Sequence, residues 1–218
     1  YDGSPTYPDA AQTLRLCASE HVSVLGAGAA LFSLLERSGA TEFLKADLSE
    51  IRFLFSSGSP LPDSTWAWLY ANINPDMRLG SDSGGTDVCT GIIGSNPFCP
   101  VYQGELMAPY LGVAADIVDE NGHSIEGEFG ELVVREPMPS MPVRFWADDD
   151  GSRLHDAYFA DIPGMWRQGD WATKIPGGGF VIHGRSDSTI NRGGIRMGSS
   201  DITPVSYTHL TLPTNREV

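Results

Sequence analysis

Gly184-Arg185-Ser186-Asp187-Ser188-Thr189-Ile190-Asn191-Arg192-Gly193-Gly194-Ile195-Arg196 sets three arginines within thirteen residues of a strongly acidic chain. Over its 218 residues that chain carries 28 Asp and Glu against 14 Lys and Arg, a formal net charge of -14. Such a protein has little electrostatic reason to gather cations unless something anionic is held beside them. Gly193 and Gly194 would let a bulky ligand come close to the backbone there.

Outward from this run, the same composition narrows the function classes. With 41% hydrophobic and 19% charged residues the chain is expected to fold as a globular protein with a real core. No stretch approaches the roughly 20 apolar residues of a membrane span. The acidic excess argues against nucleic acid or an anionic membrane as partner and leaves small molecules, with oligomeric state open. Cys17, Cys89 and Cys99 form no C-x-x-C pair, and their odd number suits a reducing, cytoplasmic setting rather than a disulfide framework. The opening Tyr1-Asp2-Gly3-Ser4-Pro5 has neither Met nor signal peptide and reads as the middle of a longer protein.

Residues 1–108 read as an α/β layer. Val22-Ser23-Val24-Leu25 predicts a buried strand, followed by a helix over residues 30–36. Residues 51–55 predict a second strand, and Asp63 or Ser64 is placed to cap a helix carrying Trp66, Leu69 and Tyr70. A third strand that includes residues 77–79 leads into Ser83-Gly84-Gly85-Thr86-Asp87. Ligands of such sheets bind beyond the carboxyl ends of the strands. Residues 109–184 read instead as a small β-rich subdomain, with strands at 113–119, 130–135 and 180–183 and turns at Asn121-Gly122 and residues 176–179. The last stretch, residues 204–218, reads as an unrelated tail of translated adaptor sequence, with a divergent natural tail as the alternative.

Several motifs resolve to plain structure. Gly26-Ala27-Gly28-Ala29-Ala30-Leu31 imitates a dinucleotide loop, but Leu31 stands where glycine or alanine is needed, so an ordinary strand-to-helix turn is expected. There is no G-x-x-x-x-G-K-[ST] loop. Asp148-Asp149-Asp150-Gly151 reads as a solvated turn, the five histidines lack ligand spacing, and Cys89 reads as a small core residue.

Four other segments carry chemistry in a telling order. Ser57-Gly58-Ser59-Pro60 closes a strand with room for a flat ring. In residues 81–87, Gly84 and Gly85 expose backbone, Thr86 offers a hydroxyl and Asp87 a hard oxygen, which suits a phosphate with its magnesium ion. Gly169-Asp170-Trp171 offers a carboxylate able to accept two hydroxyls of a ribose diol. The arginine run follows. Each alone could be an ordinary turn.

In that order, and with Tyr1-Asp2-Gly3-Ser4-Pro5, Pro137-Met138-Pro139-Ser140-Met141-Pro142 and Trp166-Arg167-Gln168-Gly169-Asp170-Trp171, residues 1–203 resemble the acyl-adenylate-forming enzymes, the acyl-CoA synthetases. The resemblance implies part of that family's α/β large domain, its small β-rich subdomain, and, over residues 185–203, the hinge and start of a C-terminal domain. It sets Gly58, Ser59 and Pro60 against adenine, Thr86 at the α-phosphate, and Asp87 where the family has a magnesium-associated glutamate. Asp170 and Arg185 would hold the ribose hydroxyls, Asp187 would be the hinge, Gly194 would line the CoA route and Arg196 would approach phosphate. Ser57, Ser83 and Gly84 would line the acyl pocket. Related acetyl-CoA synthetases carry tryptophan at the Gly84 position, so glycine is expected to open space for a longer acyl group.

The implied activity is an AMP-forming acid–thiol ligase of lipid and ketone-body metabolism. It would join acetoacetate to CoA at the expense of ATP, through an acyl-adenylate. A synthetase for another short acyl acid and a non-catalytic nucleotide-binding fragment stand as alternatives. The family's phosphate loop would lie before Tyr1 and its catalytic lysine beyond the resembling residues, so these 218 residues alone are expected to be inactive.

Overall fold

A computed structural model of the chain describes residues 2–39, 46–187, 190–192 and 195–197. Strand β2 (Phe53–Ser57) buries Leu54 and Ser56 and half-buries the residues between them, the period-two pattern of a sheet covered on one side. It lies between β1 (Val24–Gly28) and β3 (Arg78–Gly85), parallel to both. The sheet continues antiparallel through β4 (Thr90–Gly94) and β5 (Ala108–Pro109). Helix α2 (Ala29–Ser38) buries Ala29, Phe32 and Leu35, spaced at three along one face, and packs on α3 (Asp63–Asn72). With α1 (Gln12–Ser19) these elements enclose an apolar core around Leu14, Phe32, Leu54, Trp66, Leu69 and Leu79.

The second layer is an antiparallel sheet in the order β6 (Ala115–Val118), β7 (Phe129–Val134), β8 (Trp166–Lys174), β9 (Phe180–Arg185). A short helix, α4 (Ser152–Tyr158), is inserted between β7 and β8. Its core joins Ile117, Leu132, Val134, Trp166 and Ala172 to Val88, Ile92, Ile93 and Leu106 from the first layer. The two layers therefore share an apolar interface that straddles residue 109. A hairpin of β10 (Ile190–Arg192) and β11 (Ile195–Met197) follows.

The mixed α/β fold agrees with the sequence, while several local expectations change. Gly26 and Gly28 lie within β1 itself. A Cβ at Gly26 would sit 2.1 Å from the Phe55 ring, so this glycine serves packing. The N-cap of α3 is Pro62, with Asp63 in the first turn and no side-chain cap. Strand β3 runs on past residues 77–79 through Ser83, Gly84 and Gly85, where Gly84 pairs with Gly91 of β4. Asp148 is buried rather than solvated: it accepts the backbone N–H groups of Arg153 and Leu154 and so fastens the start of α4. Cys89 is exposed, in the turn after β3, rather than in the core. Arg185 ends β9 instead of opening a new segment. Gly194 and residues 204–218 lie outside the described residues.

Candidate functional site

Parallel register sets the floor of the cleft. Ser57 at the end of β2 stands beside Asp82 of β3, so the residues after β2 and the last residues of β3 emerge at one edge. Gly58, Ser59, Pro60, Ser83 and Gly84 line a cavity there with Trp66 of α3 and Leu106. The antiparallel layer closes it with Asp170 of β8 and Ile182, Gly184 and Arg185 of β9. An adjoining recess shares Gly58, Asp82, Ser83 and Gly84 and adds Ser57, Thr86, Thr90 and Tyr110. The adenine, acyl-pocket and ribose candidates are thus gathered around one cleft, with Thr86 in its second recess.

Asp170 lies within a strand, not a turn. Gly169 before it has φ 80°, a left-handed backbone that glycine accepts without strain, and the register sets Asp170 directly across from Arg185. The Asp170 carboxylate accepts the Ser83 hydroxyl at 3.1 Å and lies 3.5 Å from Arg185 Nη1. Burial pushes its pKa up to about 6, although Arg185 and Ser83 pull it down. The arginine is held chiefly by Asp187, through Nε to Oδ1 at 3.0 Å and a second bond from Nη2 to Oδ2. That pairing raises the Arg185 pKa and lowers that of Asp187.

Behind Asp170, the buried Glu131 of β7 accepts the Gly169 N–H at 2.9 Å and pairs with Arg167 Nε at 3.3 Å. Burial raises its pKa above the ordinary carboxylate range, against the pull of Ser186 and Arg167. In the second recess Asp82 accepts the Ser95 N–H and hydroxyl, each at 3.0 Å. The Tyr110 hydroxyl bonds to Asp82 as well, and burial with that carboxylate pushes the phenol up to about 12.

Asp87 is exposed just past β3, and its Oδ2 accepts the Tyr158 hydroxyl at 2.5 Å. No group of three or more metal-ligating side chains occurs among the described residues. Arg196 stands opposite Asn191 on β11. Gly84 also has a packing role. A Cβ there would meet the Thr90 carbonyl oxygen at 2.4 Å and Gly91 Cα at 2.8 Å. Glycine therefore lets β3 approach β4 closely, while Gly84 also lines the cleft and its second recess.

Asp82, Tyr110, Gln168 and Tyr158 were not singled out from the sequence. Gln168 sits inside a motif that was quoted, so it was within reach. The other three carry no local signature, because their partners lie far along the chain. No helix among the described residues is long and apolar enough to cross a membrane.

A family model described as AMP-binding enzyme matches residues 1–141. An acetoacetyl-coenzyme A synthetase of Rhizobium meliloti (strain 1021) is 43% identical over 202 residues, covering 93% of this chain and 31% of that protein. The acetoacetyl-CoA synthetase of Xenopus tropicalis is 41% identical over 203 residues, 93% of this chain and 30% of its own length. The solved structure of acetoacetyl-CoA synthetase from Streptomyces lividans is 44% identical, with a TM-score of 0.85 over all of this chain and 33% of that one. An anthranilate CoA ligase in complex with anthranoyl-AMP, 18% identical with a TM-score of 0.76 over 96% of this chain and 38% of that one, shares the fold. The chain thus spans about a third of the length of the relatives it matches.

Proposed function

Because the chain belongs to the AMP-binding enzyme family, we propose that it forms the nucleotide- and acyl-binding part of an enzyme joining acetoacetate to CoA with ATP. The carboxylate of the acid attacks the α-phosphorus of ATP and pyrophosphate leaves. The CoA thiol then attacks the acyl carbon and AMP leaves. Similarity to relatives named for acetoacetyl-CoA supports the choice of acid.

The observation that carries the nucleotide part is the cleft itself: glycine-rich backbone on one wall and the Asp170–Arg185 pair on the other. The first wall, Gly58, Ser59 and Pro60, offers backbone and room for a planar base. The second offers a carboxylate to accept ribose hydroxyls and a guanidinium to orient it. Thr86 takes the α-phosphate in this reading, and Ser57, Ser83 and Gly84 lie along the acyl side. In the same reading Asp187 acts as the hinge, residues 185–203 correspond to the hinge and start of a C-terminal domain, and Gly194 and Arg196 belong to the CoA and phosphate side.

A single carboxylate is enough for magnesium in such a site, since Mg²⁺ keeps several waters and binds substrate phosphates besides one or two carboxylates. Asp87 fits that role: it is exposed, follows Thr86 of the second recess in sequence, and has one carboxylate oxygen bonded to Tyr158. The ion would neutralise phosphate charge; Asp87 would orient it.

A chimera tests the reading, with residues 2–203 replacing the matching third of the Rhizobium meliloti relative. Acetoacetate-dependent exchange of pyrophosphate into ATP is expected, with acetate and butyrate poorer. Nucleotide binding without exchange would instead support a non-catalytic binding fragment.

A further inference from the structure

Tyr158 stands 71 positions from Asp87 in sequence, yet its hydroxyl donates to Asp87 Oδ2 at 2.5 Å. The phenol ring is itself held: it stacks on Trp166 with ring centroids 3.5 Å apart and planes 15° from parallel. Trp166 is buried, and its indole N–H donates to Gln168 Oε1 at 3.1 Å. Gln168 Nε2 in turn donates to the Gly84 carbonyl at 3.0 Å. A continuous chain of contacts thus leaves the antiparallel layer and grips the Gly84–Asp87 segment at both ends, on backbone at Gly84 and on the carboxylate at Asp87.

Asp87 needs such a grip. It is exposed, it follows the end of a strand, and a solvated aspartate there would sample several rotamers. A hydrogen bond to a charged acceptor is among the stronger kinds, and this donor comes from a ring fixed by packing. The geometry points to Tyr158 as the positioning residue for Asp87, holding that carboxylate in the orientation in which its other oxygen meets a nucleotide-bound magnesium ion. The inference rests on the proposed role of Asp87 and adds to it the residue that makes this carboxylate usable. Tyr158 itself touches neither metal nor nucleotide.

Titration calorimetry on the 218-residue chain separates the possibilities. ATP with magnesium, ATP with EDTA, and AMP are compared, and the ratio of the two ATP dissociation constants isolates the magnesium-dependent part. Tyr158→Phe keeps the ring on Trp166 and removes one hydroxyl. It is expected to lower that ratio about fivefold or more while AMP binding stays within about twofold. Asp87→Asn should lower the ratio to the same floor, and the double variant should add nothing further.

If Asp87→Asn collapses the ratio and Tyr158→Phe leaves it at the wild-type value, the positioning role is wrong and the Asp87 reading survives. If Asp87→Asn leaves the ratio unchanged, the magnesium role of Asp87 falls and takes the inference with it. A loss of AMP affinity in step with ATP would mark Tyr158 as merely structural. AMP binding measured on the same sample also reports whether the variant is folded.

Discussion

The two layers meet at one cleft but contribute to it differently. The parallel layer packs Phe32, Leu54, Leu69 and Leu79 with no exposure to solvent and offers the cleft mainly backbone and hydroxyls at Gly58, Ser59 and Ser83. The antiparallel layer has its own apolar core but also buries, among the described residues, three carboxylates: Glu131 and Asp170, paired with Arg167 and Arg185, and Asp148, held by backbone N–H groups. One layer is thus stabilised by area removed from water, and the other carries buried charge that must be matched. Substitutions in the first should act through packing and be indifferent to pH. Those in the second should act through charge and be sensitive to it.

The largest effect is expected from Leu54→Ala, which should lower unfolding free energy by about 2–5 kcal/mol in urea melts. The loss should be equal at about pH 5 and about pH 8, since Leu54 belongs to an apolar core whose one buried ionisable member among the described residues, Cys17, has its pKa raised by burial. A loss that varied with pH would break the contrast between the layers.

Asp170→Asn should weaken adenosine binding by about 1.5–3 kcal/mol, the value of a hydrogen bond to a charged group. Adenosine is the probe because it has no phosphate of its own to titrate. In the wild type, binding should also weaken as pH falls through about 6, where the carboxyl gains its proton. Stability runs the other way. The folded state holds that proton more tightly than the unfolded chain, so the Asp170 contribution becomes unfavourable as pH rises from about 4 to about 6 and stays so above. The asparagine variant should lack both trends, and calorimetry with urea melts across that range checks them. A variant that kept either trend would place the titration elsewhere.

Gly84→Ala belongs to the packing class although Gly84 lines the cleft. Its new methyl would meet the Thr90–Gly91 backbone, so a loss of about 1–3 kcal/mol is expected, read as a lowered melting temperature. An unchanged melting temperature would show that β4 yields easily and that this close approach does not depend on glycine. The smallest effect should come from Asp187→Ala. Its side chain is 51% exposed, and surface pairs of this kind contribute about 0–1 kcal/mol. A larger loss would mean that Arg185 depends on Asp187 to stay beside Asp170.

Much of this was legible in sequence for a local reason. The apolar run in residues 51–55 and the helical stretch in residues 30–36 are set by neighbours a few residues apart, and they placed β2 and α2 correctly to within a few positions. Asp148 was misread for the complementary reason. Three consecutive aspartates look solvated until a helix start folds back to supply N–H donors. The packing role of Gly84 was not legible, because that close approach comes from a second strand, not from its neighbours.

The sequence by itself determined the family, the alternation of strand and helix, and the order of the segments that converge on the cleft, since these are written in local composition and spacing. Only the tertiary structure decided that Asp170 faces Arg185 across a ladder, that Glu131 lies buried behind them, and that Tyr158 reaches Asp87. Those contacts depend on strand register and on chain closures of many residues. Local chemistry does not specify the partner at the far end of such a closure; packing of the whole sheet does.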